Sequence, residues 1–138
     1  MYKPILLVED SPFDAEFTLR AMRTLSLPNP VLLAHDGEEA LEVLLRKCKT
    51  AQSDECVSLV LLDLKLPKLD GFDVLKRIKA HPLLKDTPVV VVTGSRLISD
   101  KVRAEILGAS GVLTKSEDRE EFALQLQTAL SPLKPFLQ

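Results

Sequence analysis

Five short apolar runs, each followed by a longer stretch of helical periodicity, constrain this chain more than any other feature of it. The runs at residues 4–8, 31–35, 57–63, 88–93 and 111–114 read as strands, and the stretches between them as helices. Alternation of this kind implies an α/β domain: a parallel sheet with helices on both faces. The third and fourth runs are nearly continuous in Val and Leu, as expected for strands covered on both sides.

The helix starts carry their own signals. Ser11 is placed to cap the first helix, with Pro12 where a missing N–H costs nothing and Asp14 in the first turn. Asp36 stands before Gly37-Glu38-Glu39, and Asp70 before Gly71-Phe72-Asp73, as caps of the second and third. The fourth is expected to begin near Ser99 and Asp100 and to end at Gly108. Ser116 is expected to cap the fifth, whose Phe122, Leu126, Ala129 and Leu130 share one face. Phe13, Phe17, Phe72 and Met22 read as core, and His35 and His81 as structural or solvent-exposed. Pro132 and Pro135 are expected to stop the last helix, leaving one domain over residues 1–130 and a tail, 131–138, with no effector domain.

Composition narrows the function. Eighteen Lys and Arg against twenty Asp and Glu give a formal charge of −2, without the cationic surplus that a nucleic-acid backbone demands. No apolar run exceeds four residues, whereas a membrane span needs about 20. The first residues lack the form of a secretory signal, so a cytoplasmic address is expected. Cys48 and Cys56 flank a polar stretch without nearby histidines. They have no zinc spacing and are expected to be reduced and incidental.

Ligands of an open α/β sheet bind beyond the carboxyl ends of its strands. There the first run ends in Glu9-Asp10, the third in Asp63, the fourth in Thr93-Gly94-Ser95 and the fifth in Lys115. If the first and third strands are neighbours, three carboxylates, a hydroxyl and an ammonium share one edge. Converging carboxylates hold protons unless a cation joins them, and Mg²⁺ suits one or two carboxylates plus a phosphate. A remaining carboxylate oxygen is then a nucleophile for phosphorus, with Thr93 and Lys115 supplying positive charge to the transferred oxygens, and an aspartyl phosphate is the product.

The ordered set Val8-Glu9-Asp10-Ser11, Leu62-Asp63-Leu64-Lys65-Leu66-Pro67 with Asp70-Gly71, Val92-Thr93-Gly94 and Leu113-Thr114-Lys115 resembles the receiver domain of two-component response regulators, over about residues 4–130. The resemblance implies a doubly wound, flavodoxin-like sheet of five parallel strands in the order 2-1-3-4-5. It implies that Asp63 accepts a phosphoryl group from a histidine of a sensor histidine kinase. Mg²⁺ would be held by Asp10, Asp63 and the main-chain carbonyl of Lys65, with Glu9 acting through water. Thr93 and Lys115, with Gly94 beside them, would grip the phosphoryl oxygens. Reorientation of Thr93 would carry the signal to the face made by the fourth helix, fifth strand and fifth helix. Lys65 and Ser95, each two residues beyond a site residue, would tune the phosphoryl lifetime. Asp70-Gly71 reads as a turn and cap.

Two departures stand out. Val112 occupies the place, three before the lysine, where the family usually has Tyr or Phe. Ser116 follows the lysine where proline is common, so a trans peptide is expected, a cis bond before a non-proline costing about 2.5–4 kcal/mol. The Lys-Ser pairing and polar second loop also resemble the small regulators that partner bacterial phytochromes. That narrower resemblance implies a bacteriophytochrome kinase and a homodimer through the last helices, extended by exposed Leu133, Phe136 and Leu137. Downstream it implies either relay to a histidine phosphotransfer protein or docking on a partner. A dedicated enzyme is not expected: a phosphohydrolase with an aspartyl intermediate places a second acid where Lys65 stands. The remaining rival is a binding module that works without phosphorylation.

Overall fold

A computed structural model describes residues 2–50 and 55–137. Strand and helix alternate as β1 (Ile5–Val8), α1 (Pro12–Thr24), β2 (Val31–Ala34), α2 (Gly37–Lys47), β3 (Leu59–Leu62), α3 (Gly71–Ala80), β4 (Val89–Thr93), α4 (Ile98–Ile106), β5 (Gly111–Thr114) and α5 (Arg119–Leu130), closed by a 3₁₀ turn at Ser131–Leu137. The strands form one parallel sheet in the order β2-β1-β3-β4-β5. This is the flavodoxin-like arrangement expected, and β1 and β3 are neighbours in it, pairing Val8 with Leu62.

Period-two alternation divides the strand residues between two cores. Leu6, Val8, Val60, Leu62, Val89 and Val91 face α2, α3 and α4; Ile5, Leu7, Leu59, Leu61, Val90 and Val92 face α1 and α5. The central strands β1, β3 and β4 are buried throughout, which is why their sequences are solidly Val, Leu and Ile. β5 has its expected bounds, and β1 to β4 are each shorter than expected by one or two residues at one or both ends. Asp63 and Ser58 still donate to Val8 and Pro4 carbonyls but lie outside the paired ladder.

Three of the predicted caps hold: Ser11, Asp36 and Asp70 accept from the amides of Asp14, Glu39 and Asp73. The fourth helix starts at Ile98, just before Ser99, and ends ahead of Gly108, whose φ of 104° belongs to glycine. The fifth helix differs from expectation. Its cap is Asp118, not Ser116, because the Asp118 carboxylate takes the amides of both Glu120 and Glu121 while the Ser116 hydroxyl takes only that of Asp118. Every peptide bond among the described residues is trans, Lys115–Ser116 included.

Three further expectations need correction, those for Phe13, Leu137 and the two cysteines. Phe13 is 79% exposed on the outer face of α1, although Phe17 packs on Phe122 and both Met22 and Phe72 are buried. The last α-helix ends at Leu130, as expected from Pro132 and Pro135, and the chain continues as a 3₁₀ turn over Ser131–Leu137. That turn folds Leu137 into the core, its carbonyl receiving the Asn29 amide, so Leu137 is no exposed tail residue; Leu133 is partly buried and Phe136 stays exposed. Cys48 and Cys56 are joined in a disulfide, not reduced: the C-cap of α2 and the approach to β3 meet with Cα atoms 4.2 Å apart. The pair is buried in the core on the α2 and α3 side.

Closing so short a loop restricts the unfolded chain by about 2–3 kcal/mol at this sequence separation. Adding a thiol reductant is therefore expected to lower the urea midpoint by that amount of stability, and to leave the midpoint of a Cys48→Ala/Cys56→Ala double variant unmoved.

Candidate functional site

Strands β1, β3, β4 and β5 all end on one edge of the sheet, and register fixes which side chains meet there. Because Val8 pairs with Leu62, the next residues, Glu9 and Asp63, leave the sheet side by side. Because Thr93 pairs with Thr114, Lys115 emerges beside Thr93 and donates its amide to the Thr93 carbonyl at 2.7 Å.

The Lys115 ammonium is the centre of the cluster. Its Nζ donates to Glu9 Oε1 at 2.6 Å, Asp14 Oδ2 at 2.9 Å and Asp63 Oδ2 at 3.1 Å. Burial pulls its pKa down, but the hydrogen bonds to Glu9 and Asp14 and the charge of Asp63 outweigh it and hold the pKa above the ordinary lysine value. Glu9 behaves oppositely to a simple ion-paired acid. It is almost wholly buried, and desolvation with the adjacent Asp63 outweighs Lys115, raising its pKa to about 7. One ammonium shared among several acids does not neutralise them.

Glu9, Asp10 and Asp63 each offer an oxygen, and these lie within 4.8 Å of one another. With Asp14 the edge carries four carboxylates against the Lys115 charge. Glu9 and Asp63 are buried and Asp10 is exposed, so the hard-oxygen set is open on one side. A small divalent cation fits this donor chemistry, and the Glu9 pKa, raised by burial and then by Asp63, marks a carboxylate that such an ion would help to ionise.

The other expected residues take their places with differing support. Thr93 is fully buried, and its Oγ1 accepts from the Ser95 amide at 3.1 Å, leaving its own hydrogen to donate. Lys65 is exposed; its amide approaches Asp63 Oδ1 at 3.3 Å, and it shares a cavity of about 660 Å³ with Asp10, Thr93 and Ser95. Gly94 is exposed and a Cβ there would meet nothing, so space does not require glycine. Val112 is half-buried against the core beneath α4 and presents no ring. His35 pairs with Glu39 at the surface and His81 accepts from the Leu83 amide, both away from the acids.

Two contributors were not recognised in the sequence. Asp14 looked like a first-turn acid serving the helix dipole, and nothing in its spacing told that α1 begins beside Lys115. Gly71 looked like a turn residue. A Cβ on it would lie 2.2 Å from the Asp63 carbonyl oxygen and 2.5 Å from Leu64 Cα, so the start of α3 can rest against the Asp63 backbone only as glycine.

A doubly wound sheet with clustered acids at the β1 and β3 ends, a buried hydroxyl at the end of β4 and a lysine at the end of β5 defines the class of phosphoryl-accepting switch domains. Comparison with known proteins places the chain more closely: it belongs to the family of response regulator receiver domains, whose family model matches residues 5–127. It is 36% identical over 125 residues to the response regulator Rcp1 of a Synechocystis strain, covering 91% of this chain and 84% of Rcp1. The Mn²⁺-bound structure of Rcp1 superposes with a TM-score of 0.76 at 35% identity, covering 94% and 92%. The phosphorylated cyanobacterial phytochrome response regulator RcpA gives 0.80 at 33% identity, covering 95% and 93%. The bacteriophytochrome response regulator AtBRR gives 0.78 at 39%, covering 97% and 94%. The chain is thus a receiver domain related to the phytochrome response regulators, and its role as a phosphoryl acceptor in two-component signalling follows from the family. Among the described residues, no helix is long and apolar enough to cross a membrane.

The raised pKa of Glu9 makes a pH prediction. Between its unfolded value near 4.5 and its folded value of about 7 the folded chain holds a proton that the unfolded chain releases, so this group's contribution to stability falls as pH rises through that window. A divalent ion favours the ionised form, so the melting-temperature gain on adding Mn²⁺ is expected to be larger at pH 8 than at pH 6. Glu9→Gln should flatten that difference.

Proposed function

We propose that Asp63 takes the phosphoryl group from a histidine of a sensor kinase, assisted by Mg²⁺ held by Asp10, Asp63 and the main-chain carbonyl of Lys65, with Glu9 acting through water. The observation that carries this reading is the Lys115 ammonium bridging Glu9, Asp14 and Asp63 while Glu9, Asp10 and Asp63 converge. When bound, the metal would supply charge to the transferred oxygens and relieve the repulsion among the acids.

The chain's own residues do the rest. An Asp63 carboxylate oxygen attacks phosphorus, the phosphorus–nitrogen bond of the donor breaks, and its electron pair stays on the histidine nitrogen. Lys115, 3.1 Å from Asp63 in the resting protein, is placed to move onto a phosphoryl oxygen. The Thr93 hydroxyl, fully buried with its hydrogen free, donates to another. Lys65 and Ser95 line the cavity through which water would reach the product, which supports their role in setting its lifetime. Lys65, where a hydrolytic enzyme needs an acid, supports an acceptor without turnover of a small substrate.

Residues 1–130 act in this reading as the receiver, with 131–138 as its packed tail. The kinase is of phytochrome type, as the relatives' names suggest, and works in the cytoplasm where ATP is available. The exposed Phe13 ring beside Asp14, Phe17 and Lys115, on a cavity of about 540 Å³, gives the kinase a hydrophobic anchor next to the acceptor. Output runs either to a histidine phosphotransfer protein or through the α4-β5-α5 face, where a homodimer would also form.

Incubation with acetyl phosphate and Mg²⁺ is expected to give a single acid-stable, base-labile phosphoryl group. Asp63→Asn or EDTA should abolish it, and Thr93→Val should slow it about 10²-fold. Labelling that survives Asp63→Asn overturns the assignment. With the cognate kinase, Phe13→Ala should slow transfer about tenfold and leave the acetyl phosphate reaction unchanged.

A further inference from the structure

A chain of three hydrogen bonds leads from the site to α4. The Ser95 amide donates to Thr93 Oγ1 at 3.1 Å, the Ser95 hydroxyl donates to Asp100 Oδ2 at 2.5 Å, and the Leu97 amide donates to Ser95 Oγ at 3.3 Å. Ser95 is buried and Asp100 half-buried in the first turn of α4. A hydroxyl has one hydrogen, and a carboxylate accepts it more strongly than a neutral group does. Asp100 therefore fixes the direction of the Ser95 hydroxyl, and with it the lone pair offered to Leu97. That matters locally, because Leu97 is the N-cap of α4 and no side chain caps this helix in the usual way.

We propose that Asp100 is a positioning residue. Through Ser95 it holds the Thr93 hydroxyl in its resting orientation, and it passes any displacement of that hydroxyl to the first turn of α4. The inference rests on the phosphoryl-acceptor reading above. When Thr93 turns its hydroxyl to a phosphoryl oxygen, the Ser95 amide loses its acceptor, and the loop follows by moving Ser95 together with Asp100, which lies in the first turn of α4. One turn further, Arg103 lies over the Phe72 ring at 4.1 Å, so α4 is tied to α3 beyond its first turn. The outer side of α4 shows Ile98, Val102 and Ile106 to solvent, so a change at Thr93 becomes a change in an exposed apolar surface.

The test is amide hydrogen exchange on the full chain, wild type, Asp100→Ala and Asp100→Asn, before and after phosphorylation by acetyl phosphate with Mg²⁺, compared at matched phosphoryl occupancy. In the resting state Asp100→Ala should speed exchange at the Ser95 and Leu97 amides about tenfold, while Asp100→Asn, which keeps the acceptor and loses the charge, should stay near wild type. On phosphorylation the wild type should change exchange across residues 98–106, Asp100→Ala should lose that change, and Asp100→Asn should regain it. An Asp100→Ala protein that responds like wild type, or an Asp100→Asn protein that fails to rescue, overturns the role of Asp100 while leaving the acceptor reading intact. Absence of phosphoryl incorporation in the wild type instead overturns the acceptor reading, and this inference with it.

Discussion

One ammonium held among buried carboxylates is the interaction on which the rest of this molecule depends. Glu9 and Asp63 are driven out of water side by side because β1 and β3 are neighbours in register, and like charges so placed repel in a medium that screens them poorly. Lys115 answers part of that repulsion from β5, two strands away from β3. It does not offset all of the cost: burial, and after it the neighbouring Asp63, still hold the Glu9 pKa up at about 7. The edge is stable enough to fold yet still short of positive charge, and that deficit is what draws a cation and then a phosphoryl group to it.

The scaffold keeps this arrangement because the site sits on strand ends and not on loops. β1, β3 and β4 are buried along their whole length between helices on both faces, so their ends are held from either side by the core. Each functional residue is then fixed by the last paired residue before it: Glu9 by Val8, Asp63 by Leu62, Lys115 by Thr114. The Gly71 contact extends the same logic to a helix. The start of α3 rests on the Asp63 carbonyl, so the Asp63 backbone is clamped from two directions.

Much of this was legible in the residues. Strand count, central strands, three caps and the acids gathering at one edge follow from local pattern, because apolar runs and cap residues report on their own few neighbours. Strand order did not follow from pattern; it came with the family resemblance. Three of the misreadings share a cause. Cys48 and Cys56 meet because α2 ends beside the approach to β3, a distance that spacing along the chain does not encode. Leu137 is buried because Asn29 captures its carbonyl from far away in sequence. Asp14 belongs to the site because α1 starts next to β5. Ser116 lost the cap to Asp118 for a local reason: a carboxylate serves two amides where a hydroxyl serves one.

The same accounting indicates which element answers a change at the site. α3 buries Gly71, Phe72, Val74, Leu75 and Ile78, whereas α4 buries only Ala104 and begins without a side-chain cap. Elements with few buried contacts move at low cost, and switching parts are drawn from that end of the stability range. An aromatic ring at position 112 would give the signal a bulky lever on β5, but Val112 has nothing to swing. One route out of the buried Thr93 is the β4–α4 loop, where directional hydrogen bonds replace bulk. A directional bond tolerates little displacement before it weakens, so a short loop of them converts a small rotation at Thr93 into a discrete choice for a loosely held helix.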